Sequence, residues 1–240
     1  TGRAIEDGLV AQGIHTDFIH LPEGNSRINV KVKHGDETEI NGQGPVITEE
    51  AINELFAKLD TLTKEDILVL AGSIPNTLPE DIYEKILARL ESKGIRIVVD
   101  ATKDLLLNVL KYHPFLIKPN NHELGEMFGT VCKTDEDIIH YAKKLQEMGA
   151  VNVLISMAGD GAILITEDGQ NIKMGTPKGK VVNSVGAGDS MVAGFVAGYL
   201  RGGSYEEALK SGTAAGSATA FSEGLASLEM YEKMLKQISE

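Results

Sequence analysis

The chain has 240 residues, enough to bury a sizeable core in one large domain or in one domain with a small appendage. Its net charge of -12, from 23 basic and 35 acidic residues, disfavours nucleic acid and anionic membranes as partners while leaving room for a small anion in a local basic pocket. Cys132 has no second cysteine to pair with, no apolar run approaches the roughly 20 residues of a membrane span, and no signal peptide is visible at Thr1, so a cytoplasmic protein is expected.

The spacing of Ile5, Leu9 and Val10 predicts a helix over 4–12, closed by Gly13. Because that periodicity is already under way at Ala4, Thr1 is expected to fall after missing N-terminal structure. Short strands are expected over 17–21, 27–33 and 37–41, separated by the turn residues 22–25 and Gly35-Asp36. Three strands with short turns suggest a small β-meander lid over 15–43, with 1–14 and 44–240 forming the body.

From Thr48 onward the pattern changes. Helices are expected over 48–59, 79–93, 123–128, 135–148, 187–200, 205–221 and 228–238. Between them lie apolar runs that read as buried strands: 67–71, 95–100, 115–117, 151–156, 162–166 and the short 181–182. Such alternation predicts a three-layer α/β/α fold around a central, mostly parallel sheet. Ligands of such folds bind beyond the carboxyl ends of the strands.

Gly186-Ala187-Gly188 stands between a strand and a helix. The first amides of a helix lack internal partners, and the helix dipole adds partial positive charge at that end. Small residues let a phosphate come close, which makes an anion hole suited to a transferring phosphoryl group. Asp189 beside it can take the proton of an attacking hydroxyl. The plainer alternative is an Asp that caps a helix after an ordinary glycine turn.

The longer stretch over 183–196, NSVGAGDSMVAGFV, resembles the C-terminal signature of the PfkB/ribokinase family of carbohydrate kinases. The resemblance implies the ribokinase-like fold, with Asp189 as catalytic base and Gly186, Ala187 and Gly188 as anion hole. Lys118-Pro119-Asn120-Asn121-His122-Glu123 resembles the family's K-P-N-x-x-E segment. That likeness implies a nucleotide-phosphate role for Lys118, Asn120 and Glu123, with Asn120 and Glu123 holding Mg²⁺ largely through water. Taken alone, Glu123 would be a solvated first-turn carboxylate. The loop from Ser156 to Gly161, with Gly159, resembles the family's nucleotide loop, and Gly216-Ser217 the segment bordering adenine. The cofactors implied are ATP and Mg²⁺, together with a monovalent cation such as K⁺ near Asn183 and the 222–224 loop.

Arg27, Asn29 and Lys31 alternate along a strand and so share a face. Arg grips phosphate through two parallel hydrogen bonds, whereas Lys31 reads as an exposed lid residue. The context Ser26-Arg27-Ile28-Asn29 and the turn Gly72-Ser73-Ile74-Pro75 resemble the phosphofructokinase branch, which implies that Arg27 holds a phosphate already on the sugar, supported by Asn29 and Ser73. Residues 38–45 resemble the members that phosphorylate fructose 1-phosphate. The reaction so implied takes the C6 hydroxyl of fructose 1-phosphate to fructose 1,6-bisphosphate with ATP. The alternatives are a tagatose-6-phosphate kinase, or a non-catalytic sugar-phosphate-binding protein on the same fold. The family's first strand, with a substrate-binding Asp, and its Gly-Gly-Lys-Gly segment have no counterpart in the chain. Pairing of lid strands in the family implies a homodimer through the lid.

A dinucleotide oxidoreductase would need G-x-G-x-x-G after the first strand, and none is found. The six histidines, among them His15, His34, His113 and His140, show no metal-ligand spacing. Cys132 reads as a small semi-buried residue, and Asp100 at a strand end reads as turn capping.

Overall fold

The computed structural model describes residues 1–33 and 37–239. His34 and the turn expected at Gly35-Asp36 lie outside them, as does the side chain of Lys31. The chain forms two compact units: Thr1–Asp66 with Ser73–Ile95, and Ile67–Gly72 with Arg96–Glu240.

The first unit holds α1 (Gly2–Ala11), the strands β1 (Asn29–Lys33) and β2 (Glu37–Asn41), α2 (Glu49–Asp60) and α3 (Ile82–Leu90). Antiparallel pairing sets Val30 opposite Ile40 and Asn29 opposite Asn41. The strand expected over 17–21 finds no ladder partner among the described residues. Its polar groups turn to side-chain contacts instead: Asp17 pairs with Lys58, and His20 lies 3.0 Å from Glu6. Among the described residues this sheet therefore has two strands, where a three-stranded meander was expected. Helix α2 starts where Thr48 accepts the Ala51 amide, and α3 packs against it, with Arg89 gripping both Asp60 oxygens at 2.7 and 2.6 Å.

The second unit is built on a six-stranded sheet in the order β3 (Ile67–Ala71), β4 (Arg96–Asp100), β5 (Leu116–Ile117), β6 (Asn152–Ser156), β7 (Ala162–Ile165), β8 (Asn171–Met174). Pairing is parallel from β3 to β6 and antiparallel from β6 to β8. Strand β8 escaped the sequence reading, although Asn171 to Met174 alternates polar and apolar as an edge strand does. The strand expected at 181–182 does not form, because the amides of Val182 and Asn183 go to the Ala220 carbonyl at the end of a helix.

After β4 comes the short α4 (Lys103–Leu107), which the sequence reading also missed. The remaining helices are α5 (Asn121–Met127), α6 (Asp135–Glu147), α7 (Ala187–Gly202), α8 (Tyr205–Ala220) and α9 (Leu228–Ser239). Leu154 of β6 and Leu164 of β7 point into a core with Met191, Val192 and Phe195 of α7 and Leu209 of α8. Alternate residues Val153 and Ile155 face the other way, on the side where α5 and α6 pack. The result is a mixed sheet flanked by helices, as the alternation in the sequence predicts.

At the amino ends of the strands the sheet is closed by a polar network. Buried Asn152 donates to the Phe115 carbonyl at 2.9 Å and to the Tyr205 hydroxyl at 3.2 Å, while accepting the Glu167 amide at 2.9 Å. Tyr205 donates in turn to Glu167 at 2.6 Å. Burial and that carboxylate push the Tyr205 phenol well above its ordinary value. Among the described residues no helix is long and apolar enough to cross a membrane.

Candidate active site

At the carboxyl ends the chain emerges from β4 at Asp100, from β5 toward Lys118 and Asn120, and from β6 at Ser156. A parallel bridge pairs Asn120 with Ser156, whose amide donates to the Pro119 carbonyl at 3.2 Å. Above these ends lies a cavity of about 610 Å³, lined among others by Asn120, Ser156, Gly159, Ala187, Gly188, Gly216 and Ser217. Seven of the residues singled out in the sequence, distant along the chain, thus line one cavity.

Helix α7 opens on this cavity. Gly186 is its N-cap, in the left-handed conformation at φ 79°. The Ala187 amide is spent on the Ser184 carbonyl at 3.2 Å, and the Ser190 amide on that of Gly186 at 2.9 Å. The amides of Gly186, Gly188 and Asp189 have no backbone acceptor among the described residues, so the open donors include Asp189 and exclude Ala187. The loop before the helix is fixed by Asn183, which accepts the Val185 amide at 3.2 Å and donates to the Glu223 carbonyl at 2.9 Å. Asp189 itself faces a second, more apolar cavity of about 280 Å³, which it shares with Asp100, Ala71 and Val192. Of the residues with open amides, Gly188 lines the larger cavity and Asp189 the smaller.

The opposite wall is the turn between β6 and β7. Ala158 sits at φ 49° and Gly161 at φ 92°. A methyl on Gly161 would lie 2.0 Å from the Met174 carbonyl oxygen. The Thr176 hydroxyl donates to the Gly159 carbonyl at 2.7 Å and ties the turn to the segment after β8. Thr176 lines the cavity as well, and was missed because β8 was missed.

Asn120 and Glu123 close a capping box on α5. The Asn120 side chain accepts the amides of His122 and Glu123 at 2.9 and 2.8 Å, and Glu123 accepts the Asn120 amide at 2.8 Å. Lys118 is only 6% exposed and does not line the cavity. Its ammonium lies 3.2 Å from the Asp100 carboxylate, which corrects the reading of Asp100 as a turn cap. Burial pushes the Asp100 carboxyl up; the Lys118 charge opposes this, and the charges of Asp189 and Glu123 add to it. Arg27, Asn29 and Ser73 belong to the first unit, where each is exposed.

The family model for pfkB family carbohydrate kinases matches residues 1–230. The chain is a pfkB family carbohydrate kinase. This kinase is 48% identical over 238 residues to the 1-phosphofructokinase of Bacillus subtilis, an alignment covering 99% of the chain and 78% of that protein. It is 39% identical over 239 residues to the D-tagatose-1-phosphate kinase of Bacillus licheniformis, covering 99% and 78%. Its fold matches the crystal structure of phosphofructokinase-2 from Escherichia coli in complex with potassium at a TM-score of 0.89. The two are 25% identical, and the match covers all of this chain and 79% of that one.

The ion pair of Asp100 with Lys118 was not anticipated from the sequence. A signal for the pair did exist. Strands β4 and β5 pair in parallel with Val99 opposite Ile117, so one step further Asp100, the last residue of β4, falls beside Lys118, the first residue after β5. Finding it required the strand register.

Proposed function

We propose that the chain transfers the γ-phosphoryl group of ATP to the C6 hydroxyl of fructose 1-phosphate, yielding fructose 1,6-bisphosphate and ADP. The observation that carries this reading is the 48% identity to a 1-phosphofructokinase across nearly the whole chain. The site geometry supports it. ATP occupies the larger cavity with its phosphates at the open amides of α7, where the helix dipole favours negative charge. Asp189, turned to the neighbouring cavity, accepts the C6 proton as the oxygen attacks phosphorus and the bond to the β-phosphate oxygen breaks. Ser156, Gly159 and Gly161 hold the nucleotide loop, and Gly216 and Ser217 border the base. Arg27 takes the phosphate already on the sugar, with Asn29 and Ser73 in support.

Mg²⁺ favours oxygen ligands and keeps its waters. The oxygens of Asn120 and Glu123 suit it, and because Asn120 Oδ1 and Glu123 Oε2 already serve the capping box, contact through bridging water fits the pair best. When bound, the ion neutralises charge on the transferring group. By likeness to the potassium-bound relative, a monovalent cation near Asn183 and the 222–224 loop belongs to the same proposal. Homodimerisation through the hairpin is supported by Val30, Val32 and Ile40, apolar residues left exposed on it.

A coupled ADP-release assay tests the reading with fructose 1-phosphate, tagatose 1-phosphate, tagatose 6-phosphate and fructose 6-phosphate at equal concentration. Fructose 1-phosphate is expected to give the highest kcat/KM. The 39% identity to a tagatose-1-phosphate kinase favours that sugar as the runner-up, and a reversed order would make it the substrate. Asp189→Asn is expected to lower kcat by about 100-fold or more, and near-parental turnover would remove Asp189 as base. Arg27→Ala is expected to raise the sugar-phosphate KM about tenfold with kcat held within about threefold, so an unchanged KM argues against Arg27. No turnover of any sugar phosphate by the parent would leave the binding-protein alternative.

A further inference from the structure

Asp100 ends β4, and Lys118 lies one residue beyond β5 in the adjacent parallel strand. The side chains of Asp100 and Lys118 are 18% and 7% exposed and meet at 3.2 Å. The Lys118 ammonium also lies against the first turn of α7. A methyl placed on Gly188 would come 3.1 Å from Nζ and 3.6 Å from Cε. A buried ammonium is costly without a counter-charge, and a second positive centre beside a helix N-terminus adds to that cost. Asp100 supplies the counter-charge from the side of the smaller cavity, which it lines together with Asp189.

We infer that Asp100 is a positioning residue for phosphoryl transfer, holding the Lys118 ammonium beneath Gly188, where charge gathers on the transferring group. The inference rests on the phosphoryl-transfer reading above and adds a part to it. Lys118 lies against Gly188, which lines the larger cavity, so its charge acts from behind the first turn of α7 rather than from the cavity wall. Without Asp100, a flexible four-carbon stem has no anchor at that spot, and the ammonium leaves the place where developing charge needs it. An interaction used mainly in the transition state appears in kcat more than in KM. Two alternatives compete with this role. The pair serves only to lock β4 to β5, in which case its loss affects stability alone. Or Asp100 and Lys118 act on the reaction independently.

A double-mutant cycle in the intact enzyme separates these. Asp100→Asn, Lys118→Met and the double variant are assayed for kcat and both KM values, with melting temperatures alongside. Asp100→Asn is expected to lower kcat about 10- to 100-fold, the worth of one hydrogen bond to a charged group, with each KM within about threefold. In the Lys118→Met background the same substitution is expected to change kcat by less than about twofold, because Asp100 acts only through Lys118. The inference is overturned if Asp100→Asn keeps kcat within about twofold of the parent, or if the two losses multiply in the double variant. Should Asp100→Asn leave an unpaired buried ammonium and fail to fold, the double variant, which removes both charges, is compared with Lys118→Met. Equal kcat supports the inference, and a lower one overturns it. An inactive parent would instead remove the phosphoryl-transfer reading itself, so the two failures are distinct.

Discussion

At Gly161 an added methyl would meet the Met174 carbonyl oxygen at 2.0 Å, whereas at Gly188 it would meet the tip of a lysine at 3.1 Å. Gly188 lines the larger cavity from the first turn of α7, and Gly161 ends the turn whose Gly159 lines it too, so either could be read as room for a phosphate. The first is required by backbone that cannot move: the neighbouring strand passes too close, and φ 92° with ψ -134° suits no residue with a side chain. The second has backbone that any residue adopts, and its neighbour is the far end of a flexible chain with a job to do. Gly161 thus belongs to the architecture of the turn, and Gly188 to the chemistry at the helix end.

Identical substitutions should therefore fail in different ways. Gly161→Ala should have the largest effect, a loss of about 3 kcal/mol or more in denaturant unfolding. A loss below about 1 kcal/mol would dissolve the contrast. Gly188→Ala should displace the Lys118 ammonium and lower kcat about tenfold, with a melting temperature close to that of the parent. A large fall in melting temperature with kcat preserved would make Gly188 structural too. The smallest effect is expected at Ala158, held at φ 49° in the same turn as Gly161. Ala158→Gly relieves a left-handed alanine but loosens the unfolded chain, so the net change in unfolding free energy should stay within about 1 kcal/mol.

The contrast also marks where the sequence was legible. The stretch over 183–196 carries its meaning locally: a turn, a helix start and a carboxylate lie within a few residues, so spacing alone suggested an anion hole. The alternation of strands and helices likewise gave the layered fold. Three things were out of reach for physical reasons. Segment 17–21 has the composition of a strand, yet pairing depends on a partner that the segment does not choose. Residues 181–182 look like a strand, but their amides are claimed by Ala220. Asp100 and Lys118 meet only through sheet register, which no local pattern states. Asn120 and Glu123 show the reverse case: the plainer expectation, a first-turn carboxylate, is realised as a capping box, and any metal role is laid on top of it.

The network at the other end of the sheet has a consequence of an optical kind. Tyr205 keeps its proton because it is buried and donates to Glu167, so the folded state favours the neutral phenol. Its contribution to stability is full below the ordinary tyrosine value of about 10 and fades as pH climbs beyond it toward the raised one. The chain has six tyrosines and no tryptophan to crowd the near-ultraviolet. In alkali, the phenolate absorbance of Tyr205 should emerge late, as the bonds at Asn152 let go. That makes this ring a built-in gauge of when the closed edge of the sheet opens.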